Sequence, residues 1–188
     1  MTREQAYELL TQYNKSRSLV VHGLAVESVM RYFAEKNGED VAFWSVVGLL
    51  HDLDYEMYPD LHCHKSKEIL EAIGADASLI RAIMSHGYNI CTDVEPQHYM
   101  EKVLYTTDEL TGLINAAVLM RPNKSIMDLE VKSIKKKFKA PSFAAGVNRE
   151  VIQNGCALLG LELDEVIQMT IDGMKASAEE LGLAGIEI

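Results

Sequence analysis

Apolar residues return at every third or fourth position along almost the whole chain, a spacing that suits helices and excludes half-buried strands. Leu19, His22, Val26, Val29 and Phe33 make one such stripe, which Gly38 closes. Asp40 is placed to cap a second helix, in which Val41, Trp44, Gly48 and His51 share a face. Tyr58-Pro59-Asp60 breaks the chain before a helix from about Leu61 to Ile73, closed by Gly74. Asp76 caps the next one, which carries Leu79, Ile83 and His86 on one side and stops at Gly87. The loop GYNICTDVEPQ leads into a long helix whose first turn is marked by Pro96. Met100, Leu104, Asp108 and Thr111 form its inner face, and Arg121-Pro122-Asn123 ends it. Ser125 to Asp128 resembles a capping box opening a lysine-rich helix that runs to Ala140-Pro141. Two further helices are expected near 148–159 and 163–182. The expectation is an all-α, single-domain helical bundle over residues 1–188, with short connections and no internal repeat.

Composition narrows the function classes. A hydrophobic content of 48% in 188 residues supports a real core and argues against disorder. The net charge of −10 argues against general affinity for nucleic acid or anionic membrane, because both reward positive charge. It leaves room for a small phosphate ester, since a bound metal reverses the local field. Cys63, Cys91 and Cys156 are odd in number with no CxxC spacing, which reads as reduced thiols. The N-terminus MTREQAYELL has no apolar signal core, and no stretch approaches a membrane span. A cytoplasmic location is expected.

The chemistry concentrates in GLLHDLDYEMYPDLHCHKS, residues 48 to 66, which holds His51, His62 and His64 beside Asp52, Asp54 and Asp60. His22, His51 and Asp108 each lie on the apolar stripe of a different expected helix. A buried carboxylate is costly unless a cation or several donors face it. With Asp52 included, two imidazoles and two carboxylates make a mixed N/O donor set that suits a divalent transition metal better than Ca²⁺.

His22, then His51-Asp52 at a helix end, then Asp108 in a later helix, resembles the H…HD…D signature of the HD-domain superfamily of all-α, metal-dependent phosphohydrolases. The resemblance covers residues from about 18 to 115, and helices from about 125 to 188 complete or cap that core. It implies that His22, His51, Asp52 and Asp108 bind a divalent metal (Mn, Fe, Co, Ni, Zn or Mg), with Asp52 also catalytic. The activity implied is hydrolysis of a phosphomonoester or phosphodiester of a small metabolite or nucleotide by a metal-activated water. Some members of that superfamily hold a second ion through extra histidines between the HD pair and the last aspartate. Here His62 and His86 fall in those intervals, with Asp52 bridging, and His62 is preferred to His64. The chain lacks a GYP motif, so cyclic-di-GMP hydrolysis does not carry over. A non-catalytic metal- or nucleotide-binding module and a di-iron oxygenase are the rival readings.

Asp54 and Glu56 are near enough to Asp52 to act as a general acid or to orient water, or to be solvated loop carboxylates. Tyr55 and Tyr58 are placed to line a substrate or to cover the cluster. KSIKKKFK, residues 132 to 139, is the one dense positive run. It reads either as a solvated helix face or as Lys135 and Lys136 at the mouth of the site, guiding an anion. Arg121 and Arg149 are similar substrate-binding candidates.

Overall fold

The computed structural model describes residues 1–186. Its elements are α1 (Arg3–Tyr13), α2 (Arg17–Asn37), α3 (Val41–Leu50), a single 3₁₀ turn (Pro59–Leu61), α4 (His64–Ala72), α5 (Ala77–His86), α6 (Tyr99–Leu119), α7 (Val131–Phe138), α8 (Arg149–Leu159) and α9 (Leu163–Lys175). No strand occurs among the described residues, apart from two isolated bridges. Among the described residues, no helix is long and apolar enough to cross a membrane. Positions 187 and 188 of the expected C-terminal segment lie outside the described residues.

The caps explain most of these boundaries. Thr2 and Gln5 form a reciprocal capping box on α1. The Asp40 carboxylate accepts from Phe43 N, and Gly38 ends α2 in the left-handed conformation at φ 68°. α3 is apolar nearly all round and is buried between α2, α1 and α5. Gly48 permits the close crossing of α2 and α3: a Cβ there would lie 2.9 Å from Glu27 Cα and from Met30 Cγ. Glu27 is buried beneath that crossing and accepts from Arg3 Nε (2.6 Å) and Ser45 Oγ (2.5 Å), which ties α1, α2 and α3 together. α6 runs against α2, α5, α8 and α9, so its middle lies deep inside one compact unit.

Four expected boundaries differ. The helix expected from Leu61 begins at His64, because the chain first makes the 3₁₀ turn and Cys63 then reverses it at φ 65°. α6 starts at Tyr99 rather than near Pro96, with His98 Nδ1 accepting from Met100 N and the Glu101 carboxylate accepting from His98 N. Ser125 to Asp128 caps no helix. The Ser125 hydroxyl donates to Ala184 O, Ile126 N donates to Leu183 O, and Arg121 holds Asp128, so α7 opens only after Glu130. α9 ends at Lys175, and tight turns occupy 176–182.

Candidate metal centre

His22 lies in the second turn of α2, and His51 ends α3 with Asp52 directly after it. His62 follows the 3₁₀ turn, His86 is the last residue of α5, and Asp108 sits midway along α6. The turn after α3 is held from both sides by the α1–α2 connection. The buried Asn14 amide donates to Leu53 O (2.9 Å), and the Glu56 carboxylate accepts from Lys15 N and Ser16 N.

This packing brings together all six residues expected as metal ligands. His22 Nε2 lies 2.9 Å from Asp108 Oδ1 and 3.2 Å from His51 Nε2, while His51 Nε2 lies 3.3 Å from Asp108 Oδ1. His62 Nε2 and His86 Nε2 stand 3.1 Å apart. Asp52 lies between the two groups. Its Oδ2 faces His51 (3.4 Å) and His22 (3.7 Å), and its Oδ1 faces His86 (3.4 Å) and His62 (3.5 Å). One carboxylate therefore offers one oxygen to each cluster. Cys63 Sγ, 3.9 Å from His86 Nε2, adds a soft donor to the second.

The far side of three rings fixes their tautomers. His51 Nδ1 donates to Gly48 O (2.7 Å), His86 Nδ1 to Ile83 O (2.5 Å) and His62 Nδ1 to Asp54 Oδ1 (2.8 Å). A carbonyl or an ionised carboxylate only accepts, so each Nδ1 carries the hydrogen and each neutral ring turns its Nε2 lone pair inward. In the His62–His86 pair, both inward nitrogens are then acceptors at 3.1 Å, with Asp52 Oδ1 as a third. Such a set is favourable only with a cation among its members, either a proton or a metal ion. The imidazole and carboxylate donors, backed by carbonyl and carboxylate partners, fit a divalent metal at each cluster.

Electrostatics agree. Burial opposes a charged His51, yet Asp52 and Asp108 outweigh it and hold its pKa well above 6.5. Burial likewise opposes ionisation of Asp52 and Asp108, yet the facing histidines, His51 foremost, hold both well below the ordinary carboxylate range. Each cluster is built for positive charge.

A cavity of about 350 Å³ opens onto the cluster. His22, Asp52, His62, His86 and Asp108 form its floor, and Leu19, Tyr55, Ile90, Cys91 and Val151 stand on its walls. Glu109 is also on the wall, its Oε2 accepting from Asn148 N, and burial together with Asp108 raises its carboxyl pKa.

Several expected residues are placed elsewhere. Asp54, expected as a catalytic group, is fully buried behind His62, and its Oδ2 accepts from Ser66 N (2.8 Å), so it acts on the cavity only through His62. Lys135 pairs with Asp164 (2.8 Å), and both it and Lys136 line a separate groove with Val131 and Lys139. Arg121 is held by Asp128. Neither the two lysines nor Arg121 lines the cavity, because α7 packs on α6 and α9 with its lysine face outward. Arg149 donates to the carbonyls of Phe138, Ala140, Phe143, Ala144 and Val147 and so folds the 138–147 connection. His64 is exposed and bonds Cys91 O (2.9 Å), and Tyr58 stacks under Lys65. Cys63, Asn14, Ser66 and Glu109 at the site go beyond the expected residues; the signals for them in the sequence are the adjacency of Cys63 to His62 and of Glu109 to Asp108.

Searches against protein-family models, curated proteins and solved structures each return no match for this chain.

Proposed function

We propose that this chain is a metal-dependent phosphohydrolase of the HD-domain type, acting on a small phosphate ester at a two-metal centre. The observation that carries this reading is the position of Asp52, with one oxygen toward His22 and His51 and the other toward His62 and His86. His22, His51, Asp108 and Asp52 would hold one ion; His62, His86 and Asp52 would hold the other. Bound divalent metals polarise a phosphoryl oxygen and lower the pKa of water. The chain itself positions the donors. Gly48 O, Ile83 O and Asp54 aim three rings, and Asp52 and Asp108 supply negative charge that is matched only by cations.

The cavity also narrows the substrate. None of its lining residues is a lysine or arginine, so neutralising a phosphoryl group would fall to the bound metals. Leu19, Ile90, Val151 and Tyr55 suit a compact, uncharged leaving group, and about 350 Å³ favours a small monoester over a polymer. The closeness of His62 and His86 also supports a second reading, a di-iron oxygenase, which further requires both as iron ligands and an iron-dependent oxygen demand.

The test is a panel of small phosphomonoesters and phosphodiesters, assayed with chelated protein reloaded with Mn²⁺, Fe²⁺, Co²⁺, Ni²⁺ or Zn²⁺, with oxygen uptake followed in parallel. Metal-dependent ester cleavage, read as inorganic phosphate from monoesters or as alcohol and phosphomonoester from diesters, that Asp52→Asn lowers at least about a hundredfold supports the proposal. Iron-dependent oxygen uptake without ester cleavage establishes the second reading instead. Metal binding with neither activity leaves a binding module.

A further inference from the structure

The metal centre has a pair of thiols on its second half that the proposed hydrolysis does not use. Cys63 Sγ and Cys91 Sγ lie 3.4 Å apart without being bonded. Two separate features bring them together. Cys63 is a non-glycine residue held at φ 65°, which turns its side chain inward under the end of α5. Cys91 sits in a tight turn in which the N–H groups of Ile90, Cys91 and Thr92 all reach Gly87 O, at 2.9 to 3.0 Å. Gly87 itself leaves the space for both sulfurs. A Cβ there would come within 2.5 Å of Cys91 Sγ and 2.8 Å of Cys63 Sγ.

The two sulfurs differ in access. Cys63 is completely buried, whereas Cys91 is half-buried and stands on the cavity wall. Cys63 is also the residue after His62, and its sulfur lies 3.9 Å from His86 Nε2. Any movement of Cys63 is therefore felt by the second metal position.

We propose that Cys63 and Cys91 form a reversible disulfide under peroxide or a small disulfide oxidant, and that this bridge weakens the metal position formed by His62 and His86. With hydrogen peroxide, the Cys91 sulfur, reached through the cavity, attacks one peroxide oxygen. The O–O bond breaks, one water leaves, and Cys91 becomes a sulfenic acid. The Cys63 sulfur then attacks that sulfur, and the second water leaves as the S–S bond forms. Two thiols lose two electrons, and the peroxide gains them. Closing the sulfurs from 3.4 Å to the bonded distance draws them together by about 1.4 Å. Part of that movement falls on Cys63 and hence on His62.

The bridge itself is independent of the phosphohydrolase reading; its effect on metal content rests on the two-metal part of that reading. Intact protein is exposed to hydrogen peroxide, alkylated, cleaved with trypsin without reductant and weighed. Cleavage after Lys36, Lys65, Arg81 and Lys102 puts Cys63 and Cys91 on different peptides, 37–65 and 82–102. The expected result is these two peptides joined, separating again with a thiol reductant, while Cys156 stays reduced. Over-oxidised Cys91 with Cys63 unlinked, or equal oxidation of Cys156, overturns the proposal. Metal counted on the same samples is expected to fall from about two ions per chain to about one on bridging, with Cys91→Ser insensitive to peroxide. Equal loss from Cys91→Ser overturns the proposed coupling. Absence of metal from the reduced protein contradicts the two-metal reading and leaves the peptide map to decide the bridge.

Discussion

A histidine nitrogen and a carboxylate oxygen can share a proton, but two imidazole nitrogens with both outer N–H groups committed cannot hydrogen-bond each other as neutral rings. His62 and His86 are in that position, which makes Asp54 and Ile83 O as consequential as the proposed ligands themselves. Asp54→Asn keeps the shape but weakens the acceptor that fixes the His62 tautomer. A loss of about 10- to 100-fold in affinity for the second metal is expected by titration, with the first metal unaffected. Protons and metals also compete here, and the sign can be worked out. His51 has its folded pKa raised well above 6.5, so its contribution to stability is complete below 6.5 and is lost as pH rises through the folded value. Asp52 and Asp108 are depressed below 3.8, so theirs is complete above 3.8 and is lost only as pH falls through the folded values. In chelator, the melting temperature is expected to fall as pH is raised above 6.5; with saturating metal that fall is expected to disappear, because the ion replaces the proton. A chelated protein that gains stability with alkaline pH contradicts the assignment.

Among the elements, the α2–α3 crossing sets the distance between His22 and His51, and Gly48 sets the crossing. Gly48→Ala places a methyl 2.9 Å from Glu27 Cα, which cannot move aside. The expected cost is about 1–3 kcal/mol, read as a lowered melting temperature, with weaker metal binding because the two histidines separate. Local signals made these helices legible in the sequence: Asp40 and Asp76 cap where expected, and Gly38 terminates. The same reading erred where a distant partner decides. Ser125 looks like a cap until Leu183 and Ala184 claim its hydroxyl and the next N–H. The 3₁₀ turn and the positive φ of Cys63 are hidden because nothing in the local pattern favours positive φ at a cysteine. His22, His51 and Asp108 are legible because ionisable groups on apolar stripes stand out, whereas Asp52 and His62 are singled out only by the resemblance. The burial of Asp54 is not legible, because its partners, His62 and Ser66 N, meet it only through the fold.

For the molecule as a whole, an acidic chain of net charge −10 places its candidate metal-binding clusters at one cavity and its lysine run on a different face. Under the proposed function, the field that draws a phosphate ester to the site would therefore come from bound metal rather than from Lys135, Lys136 or Arg121. Replacing Lys135 and Lys136 together by Gln is expected to leave the KM for a small phosphate ester within about twofold, because exposed charges outside the cavity are screened at ordinary ionic strength. A large rise in KM would return those lysines to the substrate path. The central claim is that one carboxylate joins two metal positions. Its most direct test is elemental analysis of protein purified without chelator or affinity-tag metal, alongside Asp52→Asn and His86→Ala. About two ions per chain, falling to about one in His86→Ala and below one in Asp52→Asn, is the predicted result. One ion per chain, unchanged in His86→Ala, would contradict it.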